Sequence, residues 1–158
     1  MPLKVKPFRQ RREHVCLPAG LRTVCAFFDE RLSDNEASEL CDEVSPLIEP
    51  GGGCDWNGAV TMLVANYPTL QVVTEGSESL DEAWEKLRHC IEEPKFPVIV
   101  HLWWAGVSGG RHAVVACAIG FDQVEIMNPA TGAIEDLSKG DFLHRWRLLD
   151  FGAFYLTE

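Results

Sequence analysis

The sequence predicts a single α+β domain, with helices ahead of the main sheet, and three observations carry that expectation. Apolar residues recur at helical spacing in the first half of the 158-residue chain, as in Leu21, Val24, Cys25 and Phe28. Beyond Pro97 the chain reads largely as short strand-type runs separated by glycine-bearing turns. No repeat, linker or low-complexity tract separates the two parts, and a chain of this length buries one sizeable core. Hydrophobic residues at 46% and charged residues at 24% are a globular balance, not a disordered one.

The first helix starts around Pro18, whose missing N–H falls where a helix leaves that group unpaired anyway. Ser33-Asp-Asn-Glu36 has capping-box spacing and opens a second helix, with Ala37, Leu40, Cys41 and Val44 on one face, ending before Pro46. The triple glycine 51–53 lacks the Gly-Lys-Ser/Thr of a phosphate loop, so it reads as a turn, with Asp55 as the N-cap of a third helix over 58–65. A fourth helix covers 77–87, with Leu80, Trp84 and Leu87 in one stripe. Val98–Trp104 is nearly continuously apolar and so predicts a central strand, with His101 as a core residue in it. Residues 112–119 and 123–127 predict a hairpin turning at Gly120-Phe-Asp, and Thr131-Gly132 turns the chain into a return strand starting at Ala133-Ile134. Leu148–Leu156 reads as a terminal strand.

The chemistry gathers at three places. Cys16 precedes the first helix, where the macrodipole and free N–H groups favour a thiolate, the attacking species of a cysteine nucleophile. Gln10 lies six residues upstream, positioned to offer an amide to a developing oxyanion. His112 follows Gly109-Gly110-Arg111 at the head of a strand and is the candidate base; Asn128 ends the next strand, sixteen residues on, and is the candidate to orient the imidazole. Trp104 and Gly110, bounding the small-residue loop before His112, would line a groove beside Leu17, the residue after the cysteine.

Cys, His and Asn in that order, with Gln ahead of the Cys, is the papain-like arrangement. The segments Gln10…Cys16-x-Pro-Ala, Gly-Gly-Arg-His112-Ala-Val-Val and Asn128-Pro-Ala-Thr-Gly resemble those of the bacterial double-glycine leader peptidases and their stand-alone relatives. Three positions depart from that family's usual pattern: Leu17 and Arg111 stand where it has glycine, and Asn128 where it has aspartate. The resemblance implies a papain-like fold spanning 1–158 as one domain, with a nucleophile helix packed on a C-terminal antiparallel sheet. It further implies a short strand at 70–74 and a short helix within 137–146. The roles it implies are Cys16 as nucleophile, His112 as base, Asn128 as orienting residue and Gln10 as oxyanion donor, acting on a peptide or protein substrate through a thioester. An acyltransferase with the same thioester chemistry and an inactive peptide-binding relative share the fold; Leu17 is the feature that favours the latter.

A net charge of −10 argues against non-specific nucleic-acid binding. Residues 1–13 hold five Lys and Arg against one Glu, a basic arm on an otherwise acidic chain. No apolar run reaches the roughly 18–20 residues that span a bilayer, and no signal peptide is visible. The six cysteines form no CxxC pair, which suggests free thiols in a reducing cytoplasm. No cofactor or metal site is read, since Cys41, Cys54, His89 and Cys90 lack paired ligand spacing. The oligomeric state is not legible.

Overall fold

A computed structural model of the chain describes Leu3, Val5 and residues 70–74, 78–93, 95–104, 111–149 and 151–156. The helices expected over 18–28, 33–44 and 58–65 lie outside these residues. Within them, strands β1 (Leu70–Val72), β2 (Val98–Trp103), β3 (Arg111–Ile119), β4 (Gln123–Asn128), β5 (Ala133–Ser138) and β6 (Ala153–Leu156) form one antiparallel sheet in the order β1-β6-β2-β3-β4-β5. Helices α1 (Leu80–Glu92) and α2 (Lys139–Arg147) pack on one face.

Local chemistry accounts for these elements. Ser79 caps α1, its hydroxyl accepting from the Glu82 N–H at 3.2 Å, with Asp81 and Glu82 in the first turn where the dipole favours acids. The helix runs five residues past the expected Leu87, so its buried stripe is Ala83, Trp84, Leu87, Cys90 and Ile91. Leu80, expected in that stripe, is exposed because it begins the helix beyond the edge of the core. Ser138 caps α2 in the same way, accepting from Asp141 N–H at 3.2 Å.

The α-side core joins Val98, Val100 and Leu102 of β2 to Val114 and Ala116 of β3 and Val124 and Ile126 of β4, beneath Trp84, Leu87, Phe142 and Trp146. Trp146 is the keystone of this layer. Its ring meets Phe142 at 5.3 Å and Phe151 at 5.2 Å, and its indole N–H donates to the Gly152 carbonyl at 3.0 Å, satisfying the one polar group that burial would strand. Ile99, Val115 and Met127 point to the opposite face and are also fully buried. Burial on both faces explains why β2 reads as a continuous apolar run, and β2 is indeed internal, between β6 and β3.

Two expected boundaries move. The return strand is a full six-residue β5 lying at the sheet edge beside β4. The terminal strand starts only at Ala153, because the chain leaving α2 keeps turning: Leu148 N–H donates to His144, and Phe151 N–H to Trp146. Phe151 then takes a positive φ of 55° that ends the turn.

Candidate active site

His112 and Asn128 are far apart along the chain and meet because of the hairpin's register. Near the turn, Ile119 pairs with Val124 and Ala118 with Glu125. Carried on unbroken, that register would set Asn128 opposite Val115, on the face that His112 does not share. A β-bulge between Ala116 and Ala118 inserts Cys117 and shifts the pairing, so that Ala116 meets Ile126 and Val115 meets Met127. Asn128 then falls opposite Val114, and His112 becomes its diagonal neighbour on one face.

The two side chains are hydrogen-bonded, His112 Nε2 to Asn128 Oδ1 at 2.7 Å, and both are buried. The same Oδ1 accepts from the Ala130 backbone N–H at 3.0 Å. A backbone N–H only donates, so the atom facing it is the amide oxygen, and that oxygen in turn requires a proton on His112 Nε2. In the neutral ring the lone pair is therefore on Nδ1. Nδ1 is buried and has no hydrogen-bond partner among the described residues. Asn128 is itself held firmly, its carbonyl accepting from Gly132 N–H at 2.7 Å and Thr131 N–H at 3.2 Å in the turn that Gly132 closes at φ 70°.

Burial holds the imidazole below the ordinary histidine range, while the Asn128 hydrogen bond and the Glu135 carboxylate act in the opposite sense. A neutral imidazole with an available Nδ1 lone pair can accept a proton at that atom. Trp104, expected in a groove, packs its half-buried ring 5.4 Å from the imidazole at 59°. Arg145 of α2 covers Trp104, its guanidinium carbon 4.8 Å from the ring.

Gln10, Cys16, Leu17 and Gly110 lie outside the described residues. Glu135 and Arg145 were missed from sequence. Glu135 shares the face of Asn128 through the β4–β5 register, unreadable without the full length of β5. Arg145 carried only one signal, its i,i+4 spacing from Asp141. His101 is buried in mid-β2, as expected, paired with Ala113 and so facing away from His112. His89 and His144 are exposed on helices. Among the described residues no cluster of three or more His, Cys, Asp or Glu is placed to hold a metal, and no helix is long and apolar enough to cross a membrane.

The fold is α+β and papain-like: an antiparallel sheet presenting a buried histidine–asparagine pair at the ends of two hairpin strands. No protein-family model matches the sequence, and no curated protein matches it significantly. Solved structures do match. The chain is similar to a double-glycine-motif protease from an AMS/PCAT transporter, solved in complex with the leader peptide (TM-score 0.65, 17% identity, 98% of this chain and 91% of that one). It is similar to the peptidase domain of Streptococcus ComA, a bifunctional ABC transporter of a quorum-sensing pathway (TM-score 0.66, 19% identity, 96% and 97%). It also resembles a protein from Bacillus anthracis described as a C39-like peptidase (TM-score 0.68, 12% identity, 97% and 94%). At these identities the likeness shows a shared fold.

Proposed function

We propose that this chain is a cysteine peptidase that cleaves a peptide substrate through Cys16, His112 and Asn128. The observation that carries the proposal is the imidazole itself: Nε2 is committed to Asn128, and Nδ1 is buried without a partner among the described residues. Cys16 gives its proton to Nδ1, and the thiolate attacks the scissile carbonyl. The Gln10 amide and the Cys16 backbone N–H hold the oxyanion. The imidazolium, oriented by Asn128, returns the proton to the leaving amine, and water resolves the thioester. Trp104, Gly110 and Leu17 border the groove for an extended peptide.

The substrate is a leader peptide cleaved after small residues, the reading supported by similarity to a protease solved with its leader peptide. The absence of CxxC pairs supports action in the cytoplasm. A peptide aldehyde ending in Gly-Gly tests the proposal. It is expected to modify Cys16 in the wild type and to leave His112→Ala unmodified. Modification spread over several cysteines and indifferent to His112 would overturn it.

A further inference from the structure

We propose that Arg145 is a positioning residue for His112: its guanidinium clamps the chain just past the end of β2 and so holds Trp104 against the imidazole. The inference rests on the reading of His112 as the base.

β2 ends at Trp103, whose pair with Arg111 is the last of the β2–β3 ladder among the described residues, so Trp104 lies one residue past the strand. Arg145 supplies two ties at that point and a third on its own helix. Its Nη1 donates to the Trp103 carbonyl at 3.3 Å, on the peptide that leads into Trp104. Its guanidinium lies over the Trp104 ring at 4.8 Å. Its Nε donates to Asp141 Oδ1 at 3.1 Å, one turn back on α2, which sets the plane of the fork. A planar guanidinium makes all three together; an ammonium does not.

The ring so held lies 5.4 Å from the imidazole. The base must keep Nε2 on Asn128 and Nδ1 toward the thiol, and a ring rotation would lose both. Trp104 restricts that rotation and keeps water off the side of the imidazole it covers. Among the described residues, the charged groups set around His112 are Glu135 on β5 and, beyond Trp104, Arg145 with Asp141 on α2; Asn128 is neutral. Removing the clamp frees Trp104 and rehydrates the imidazole. Rehydration favours the imidazolium, so the His112 titration midpoint moves up.

The test is the His112 midpoint, followed by imidazole NMR, together with the rate at which iodoacetamide modifies Cys16. Arg145→Met and Arg145→Lys are both expected to raise the midpoint and slow Cys16 modification roughly tenfold. Arg147→Met, which deletes the same charge from an exposed position on the same helix, is expected to leave both unchanged. Trp104→Leu removes the cover directly and should shift the midpoint the same way, which keeps the test open if Arg145→Met fails to fold. An unmoved midpoint in folded Arg145→Met or in Trp104→Leu would overturn the proposal, as would a wild-type midpoint in Arg145→Lys. If the midpoint moves but wild-type Cys16 is unreactive, the clamp stands and the peptidase reading falls.

Discussion

Replacing Asn128 by alanine removes the acceptor shared by His112 Nε2–H and Ala130 N–H, bonds of 2.7 and 3.0 Å. His112 is 1% exposed, so water does not replace the lost partner. An unsatisfied buried donor costs about 1–3 kcal/mol, and the part-buried Ala130 bond adds about 1 kcal/mol, giving a loss of about 2–4 kcal/mol. For a chain of this size each kcal/mol is about 2–4 °C, so Tm falls by about 4–16 °C. The fold survives, because the turn is held through the Asn128 main-chain carbonyl, which alanine keeps. The imidazole is affected twice: Nε2–H is no longer selected over Nδ1–H, and the midpoint falls, since the lost bond favoured the charged form. Asn128→Asp keeps the acceptor and should recover most of the stability while raising the midpoint. Thermal unfolding read beside imidazole nitrogen shifts checks both effects. A Tm loss below about 2 °C, with His112 still a single Nε2–H tautomer, would refute the argument.

Burial depresses the His112 midpoint, so the unfolded chain takes up the proton first; this contribution to stability is present above about pH 6.5 and is lost as pH falls below it. Urea midpoints at pH 7.5 and 5.5 should therefore differ more in the wild type than in His112→Gln. Deleting Cys117 removes the bulge yet leaves Ala118 opposite Glu125 and Ala116 opposite Ile126, so His112 should keep Asn128 on its own face and its Nε2–H tautomer; loss of that tautomer in a folded variant would show that the register argument is wrong. Trp146→Ala, at the centre of the α-side core, should cost about 3–5 kcal/mol in urea unfolding. Burial pushes Cys90 up to about 11 and Cys117 up to about 12, so neither should react with iodoacetamide in the native protein at pH 7.

The sheet was legible from local signals, whereas His112 and Asn128 were read together only through the papain-like order of residues that the sequence resembles. Val98–Trp104 is nearly continuously apolar, Gly120-Phe-Asp turns a hairpin, and Asn128-Pro ends a strand. The reason the pair meets was not legible. Every residue from Ala113 to Ala118 is small or apolar, so no alternation marks where Cys117 is extruded, and parity across the hairpin stays undefined until the pairing is seen. Leu148–Phe151 reads as strand by composition, yet it completes the turn of α2, since Trp146 accepts the Phe151 N–H while its ring is locked in the core. The ties from Arg145 to Trp103 and Trp104 span some forty residues and leave no local pattern at all.

The most direct test of the account is the rate of Cys16 alkylation against pH, read cysteine by cysteine by mass spectrometry, in the wild type and in His112→Ala. A thiolate held by an imidazolium predicts that Cys16 reacts fast below pH 7, ahead of the other cysteines, and that His112→Ala abolishes this. Contradiction would be a Cys16 that titrates near the free-thiol value of about 8.5 in both proteins. The buried Nδ1 of His112 would then have another purpose, and the fold would be serving something other than cysteine catalysis.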